Sequence, residues 1–190
     1  MQKALIILDR DGILNNLVSN SITGMIDSPK TIEEVEVFPW AAASLKELKN
    51  LGFSLSVATN QPGASKGSIT KELTTVIHNH ILTMITQEAG VLFGSSHICF
   101  HKTEDKCRCR KPLTGMLEQA WVNIFDKSKS WMIGDLHTDV MAGNTFGLNT
   151  ALINSSDPKS MKILEEQNIV PTFIGKDLRD FVDMLKDKND

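Results

Sequence analysis

Ala4-Leu5-Ile6-Ile7-Leu8-Asp9-Arg10-Asp11-Gly12 is the stretch on which the reading of this chain turns. Five consecutive apolar residues predict a buried strand of the kind that a parallel sheet hides between helices. Asp9 and Asp11, two residues apart at the carboxyl end of that strand, both reach one small volume, where a metal ion makes their proximity tolerable. Such a volume suits phosphate. Gly12 supplies a residue free to adopt positive φ at the turn. The same letters also describe a strand ending in a charged, solvated turn, so the strand ends further along the chain must decide between the two.

Three later strand ends carry matching chemistry. The apolar run 53–58 delivers Thr59-Asn60-Gln61, a hydroxyl and two amides that donate hydrogen bonds to phosphate oxygens. Arg110-Lys111-Pro112 brings two cations, with Pro112 restricting the backbone ahead of a helix. Trp131-Met132-Ile133 leads into Gly134-Asp135 and then Asp139, the pattern G-D-x-x-x-D. Helical patterning fills the intervals, near 41–50, 71–88, 114–124 and 139–146, with further strands at 97–100 and 150–153. Pro39 suits the first turn of its helix, and Gly52 and Gly147 fall where helices stop. The expected fold is α/β: a doubly wound, mainly parallel sheet with helices on both faces, no large cap domain, and every motif on the carboxyl edge. The polar segment 13–38 is longer than a usual connection and reads either as a substrate-facing loop or as a surface excursion.

Composition sets the outer bounds. A chain of 190 residues, 41% hydrophobic, buries one sizeable core and divides into no two comparable halves, so residues 1–190 are expected to form a single domain. A net charge of −3 offers no general attraction to nucleic acid or to acidic membrane surfaces. No apolar run approaches membrane-spanning length, and Gln2-Lys3 passes directly into a strand, so a cytoplasmic monomer acting on a small phosphorylated metabolite is expected. The charged tail 186–190 reads as a solvated end. All three cysteines lie between Cys99 and Cys109, too clustered and too few for a disulfide framework. Cys99, His101, Cys107 and Cys109 instead offer three thiolates and an imidazole, a set that suits tetrahedral Zn²⁺. Four protein ligands leave no open position, so this zinc is expected to be structural, pinning the loop 99–109 that carries Arg110 and Lys111.

The ordered motifs resemble those of the haloacid dehalogenase (HAD) superfamily of phosphohydrolases: a D-x-D pair, a Thr or Ser, a Lys and a late acidic pair. D-R-D-G, T-N-Q, C-x-H-x5-C-x-C and R-K-P together are similar to its heptose-bisphosphate phosphatase and histidinol-phosphatase branch, over residues 4–153. The resemblance implies Mg²⁺ held by Asp9, Asp135 and the main-chain carbonyl of Asp11. It also implies nucleophilic attack by Asp9 to give an aspartyl-phosphate, with Asp11 as acid and then base. Asp11 is therefore expected to have a raised pKa. Lys111 would balance charge, Thr59 would donate to a phosphoryl oxygen, Asp139 would stand behind the metal ligands, and Arg10, Asn60, Gln61 and Arg110 complete the phosphate and substrate ligands.

Gln61-Pro62-Gly63-Ala64-Ser65-Lys66-Gly67 and Lys111-Pro112-Leu113-Thr114-Gly115-Met116-Leu117 resemble the corresponding stretches of the heptose enzymes, and that resemblance implies D-glycero-D-manno-heptose 1,7-bisphosphate, at its 7-phosphate, ahead of histidinol phosphate. Ile13 and Leu136 depart from the branch, which carries Thr and a cation there; loss of the cation weakens recognition of a second anionic group. A phospho-receiver domain shares the Asp, Thr and Lys, but its phosphorylated Asp ends a middle strand. A sugar-phosphate binder without turnover is the other alternative. His78, His80 and His97 read as surface or core-edge residues, and His137 lies inside the late acidic motif, within reach of substrate.

Overall fold

The computed structural model describes residues 3–19, 24, 26–154 and 157–188; parts of the long polar segment and of the charged tail lie outside the described residues. In chain order the elements are β1 (Ala4–Leu8), β2 (Val18–Ser19), β3 (Ile26–Asp27), α1 (Ala41–Asn50), β4 (Phe53–Asn60), α2 (Lys71–Ala89) and β5 (Ser95–Cys99). There follow α3 (Gly115–Ala120), β6 (Trp131–Gly134), α4 (His137–Phe146), β7 (Asn149–Ile153), α5 (Pro158–Glu166), β8 (Phe173–Gly175) and α6 (Leu178–Asp187). Six strands form one parallel sheet in the order β5-β4-β1-β6-β7-β8.

Alternation along β1 divides the core between the two faces of the sheet. Ile6 and Leu8 pack with Leu45, Ile77 and Phe181, which brings α1, α2 and α6 to one side. Leu5 and Ile7 pack with Met116, Leu117 and Ala142, which brings α3 and α4 to the other. Leu152 and Leu164 add α5 to that second face. The doubly wound fold expected from the alternation of patterns is therefore the fold observed. Among the described residues the segment between β1 and α1 adds the antiparallel β2–β3 pair and no cap domain. No helix among them is long and apolar enough to cross a membrane.

Local expectations needed several corrections. The third helix spans six residues, where the pattern suggests a longer one over 114–124; Trp121 turns extended and packs edge-on against Phe125 and Phe146, so tertiary packing ends the helix. Pro39 stands before the N-cap Trp40, outside the first turn of α1. The strand after 53 runs on to Asn60, and α4 begins at His137, two residues earlier than its apolar spacing indicates. His78 is no edge residue: it is buried in α2, with no partner for either ring nitrogen.

Candidate active site and metal centre

Strand order explains why distant motifs meet. The first strand lies between β4 and β6, so the chain winds outward in both directions from it, and the carboxyl ends of these neighbours open onto one crevice. Asp9 continues β1, its amide donating to the Ile133 carbonyl at 2.8 Å; Thr59 is the last residue but one of β4, and Asp135 follows β6. Carboxylate oxygens of Asp9, Asp135 and Asp139 lie within 4.8 Å of one another, and all three residues are buried. Lys111 is buried with them, its Nζ 3.0 Å from Asp9 Oδ1 and 2.6 Å from Asp139 Oδ1, and donating to the Ala58 carbonyl at 2.7 Å. Two glycines permit this crowding. A Cβ on Gly12, which has φ +81°, would collide with Asp135, and one on Gly134 would collide with Asp139.

Three carboxylates facing one lysine leave the site short of positive charge. Burial, then the charges of Asp139 and Asp11, push Asp9 up to about 6 despite the opposing Lys111. Burial and the neighbouring Asp9 and Asp139 push Asp135 up to about 8. Burial works against the Lys111 charge, but Asp139 and Asp9 outweigh it and hold the ammonium above its ordinary value. Asp9 Oδ1 is taken by Lys111 and by the Arg10 amide at 2.7 Å, while Oδ2 has no partner among the described residues. Hard oxygen donors with an excess of negative charge are the donor set of Mg²⁺, and Asp9 and Asp135 fit it.

Asp11 overturns the expectation of a raised pKa. Its Oδ1 accepts from Arg10 Nε at 3.2 Å, Arg10 Nη2 at 3.1 Å and Asn15 Nδ2 at 2.8 Å. Its Oδ2 accepts from Arg10 Nη2 at 2.9 Å, Ser28 Oγ at 2.8 Å and Gln61 Nε2 at 2.6 Å. Burial alone raises this carboxyl, but the guanidinium and the hydrogen bonds outweigh it and hold Asp11 below the usual carboxylate value. Arg10 and Gln61 are themselves buried, at 0% and 4% exposure, so they reach Asp11 and not the open crevice where phosphate was expected to meet them. Asn60 is a brace: its Oδ1 accepts from the Lys111 amide and its Nδ2 donates to the Lys111 carbonyl, both at 3.1 Å. Thr59 Oγ1 accepts from Gln61 at 2.9 Å, which leaves its own proton free for a ligand.

A cavity of about 590 Å³ opens over these groups, its walls including Asp9, Asp11, Thr59, Arg110, Asp135 and Leu136. The β2–β3 segment contributes Ile26, Asp27 and Ser28, so part of the long polar stretch does face the site. Asn15 and Ser28, the remaining holders of Asp11, carried no sequence signal, since neither belongs to a periodic or motif position.

Beside the cavity the cysteine cluster is drawn together at the end of β5. Sγ of Cys109 lies 3.2 Å from Sγ of Cys99 and 3.6 Å from that of Cys107; Cys99 and Cys107 are 3.8 Å apart. His101 Nδ1 lies 3.3 Å from Cys109 and 3.7 Å from Cys99. A tetrahedral Zn²⁺ with bonds near 2.3 Å separates its sulfur ligands by about 3.8 Å, so the four side chains suit that ion once Cys99 and Cys109 part slightly. The Arg110 amide donates to Cys107 at 3.4 Å and its guanidinium to the His101 carbonyl at 3.2 Å, tying the cluster to the cavity wall.

Comparison with known proteins agrees with this geometry. A family model described as HAD-hydrolase-like matches residues 108–181. The D-glycero-beta-D-manno-heptose-1,7-bisphosphate 7-phosphatase of Pseudomonas aeruginosa is 30% identical to this chain, over 94% of this chain and 95% of that protein. The chain belongs to the HAD-like phosphatases. The bifunctional histidine biosynthesis protein HisB of Legionella pneumophila is 33% identical over 77% of this chain, and the match spans only 40% of that longer relative. Among solved structures, the D,D-heptose 1,7-bisphosphate phosphatase from B. bronchiseptica, complexed with magnesium and phosphate, superposes with a TM-score of 0.79 at 27% identity, covering 97% of this chain and 99% of that one.

Proposed function

We propose that this HAD-like phosphatase is a Mg²⁺-dependent phosphomonoesterase that works through an aspartyl-phosphate on Asp9, with D-glycero-D-manno-heptose 1,7-bisphosphate as substrate and its 7-phosphate as the group removed. The observation that carries this is the buried set of Asp9, Asp135 and Asp139 around Lys111, with Asp9 Oδ2 unpartnered at the floor of the cavity. Asp9, Asp135 and the Asp11 main chain are the proposed Mg²⁺ ligands, with Asp139 behind them; the ion supplies charge that lets a carboxylate approach a phosphate, two like charges that repel by about 4 kcal/mol at 4 Å in a medium of dielectric 20. Asp9 attacks phosphorus and the ester oxygen departs. Lys111 holds charge at Asp9 through both steps, Thr59 donates to a phosphoryl oxygen, and Arg110 binds substrate at the wall.

Asp11 is ionised in the free protein, which suits the second step directly: it takes a proton from the water that cleaves the acyl phosphate, regenerating Asp9 and releasing inorganic phosphate. Protonating the leaving alkoxide in the first step requires a proton to enter with substrate as Arg10, Gln61 and Ser28 yield part of their hold. Zn²⁺ in the cysteine cluster is structural in this reading. The chain is proposed to act as one phosphatase domain, a cytoplasmic monomer with a small metabolite as its only partner. Histidinol phosphate is the second substrate, favoured by the match to HisB.

The test is release of inorganic phosphate from both compounds with Mg²⁺ present. The expected outcome is the higher kcat/KM on the heptose bisphosphate and a loss of roughly a thousandfold or more in Asp9→Asn. A folded Asp9→Asn protein hydrolysing at the parent rate would sink the reading.

A further inference from the structure

Across the cavity from the lysine, one side chain is held more closely than packing requires. His137 lines the cavity at the start of α4, and its Nδ1 lies 3.0 Å from Ser160 Oγ. The same Oγ accepts from the His137 amide at 3.1 Å and donates to Asp157 Oδ2 at 3.1 Å. Ser160 is fully buried, and Asp157 is itself fixed as the N-cap of α5, accepting from the Lys159 amide. The hydroxyl has one proton and two lone pairs. A carboxylate only accepts, so the proton goes to Asp157; the amide fills one lone pair, and the ring must donate to the other. The network therefore assigns the neutral imidazole as its Nδ1–H tautomer, with Nε2 an acceptor. Among the described residues that atom has no hydrogen-bond partner, and it is not buried, on a side chain that lines the cavity.

We propose that His137 is a specificity-determining residue whose Nε2 accepts a hydrogen bond from a hydroxyl of the leaving group, with Ser160 and Asp157 as its positioning residues. This rests on the phosphatase reading above and assigns to it the residue that reads the hydroxyls of the alcohol. Leu136, 36% exposed beside His137, gives this side of the cavity an apolar part together with Leu17 and Ile26, while Asp27, Arg110, Thr138 and Asp157 are among its polar walls. The arrangement resembles no nucleophilic relay, because Ser160 Oγ is saturated and lies beneath the histidine.

The experiment compares heptose 1,7-bisphosphate with p-nitrophenyl phosphate, whose leaving group has no second hydroxyl, in the full chain with Mg²⁺. His137→Leu is expected to raise KM for the sugar roughly tenfold, as for one lost hydrogen bond, with kcat for both compounds and KM for the aryl ester within about twofold of the parent. His137→Gln, which returns an acceptor near Nε2, is expected to restore most of the sugar KM. Ser160→Ala, which keeps the imidazole but frees it to turn, is expected to shift the sugar KM in the same direction by less. Equal changes on both compounds, no change on the sugar, or no recovery in His137→Gln would overturn the proposal. Asp9→Asn in parallel separates the two readings: hydrolysis dependent on Asp9 but indifferent to His137 removes this inference alone.

Discussion

Two carboxylates two residues apart in sequence end in opposite electrostatic conditions because of what their oxygens touch. Asp9 is buried among carboxylates and rises to about 6, whereas Asp11 is wrapped by Arg10, Asn15, Ser28 and Gln61 and falls. In the proposed mechanism a cation beside Asp9 would favour its ionised, nucleophilic form, and the lowered Asp11 suits the step that takes a proton from water. Arg10 also acts at a distance on His78, which burial and then the Arg10 charge lower to about 4. The sign follows directly. An imidazole held neutral in the fold, with a folded value of about 4 against an ordinary 6.5, contributes stability that is present above pH 6.5 and lost as pH falls through 4. The full span is on the order of 3 kcal/mol. Thermal melting between pH 7 and 4 should therefore show a fall that is shallower in His78→Leu; parallel profiles would refute the assignment.

At the level of elements, the loop from β5 to α3 is where the sequence packs most chemistry into least regular structure. Cys99 ends a strand, and Arg110 and Lys111 follow directly on Cys109, so the cluster that gathers the four ligands also sets where the two cations emerge. Lys111 is further fixed by Asn60 from β4, which clamps both its amide and its carbonyl. Removing the ion should therefore reach the cavity. Elemental analysis is expected to find about one zinc per chain. Prolonged chelation, followed by replenishment of Mg²⁺ alone, is expected to lower the melting temperature and to cut activity at least tenfold, with Zn²⁺ restoring both. Retention of activity by a protein shown to be zinc-free would contradict a structural role. The β2–β3 pair contributes differently: it brings Ser28 to Asp11 and Ile26 to the cavity wall from a segment whose composition alone was equally compatible with a surface excursion.

Over the whole molecule, the sheet separates stability from chemistry. The site occupies the carboxyl edge, while the face formed by α1, α2 and α6 holds a large apolar cluster. Phe181 is its most telling member, fully buried with ring contacts to Trp131 at 5.0 Å and Phe173 at 5.7 Å. Phe181→Ala is expected to cost about 3–5 kcal/mol in denaturant unfolding with kcat per folded molecule near the parent value; a selective loss of kcat without loss of stability would show that this face reaches the site. The alternation of apolar runs and helical patterns, the motifs at the ends of β1, β4 and β6, the cations after the cysteines and the cysteine cluster were all legible in the sequence, because each is a property of neighbouring residues: periodicity, turn chemistry and ligand spacing act over a few positions. The aim of the side chains was not. Gln61 meets Asp11 across 50 residues, Asn60 meets Lys111 across 51, and Ser28 meets Asp11 across 17. Those contacts, created only when β1, β4, the β2–β3 segment and the cysteine loop come together, hold Asp11 below the usual carboxylate value with Arg10 and Gln61 among its partners. A protonation state is the sum of burial and charge from every neighbour in space, and only the folded chain fixes which neighbours those are.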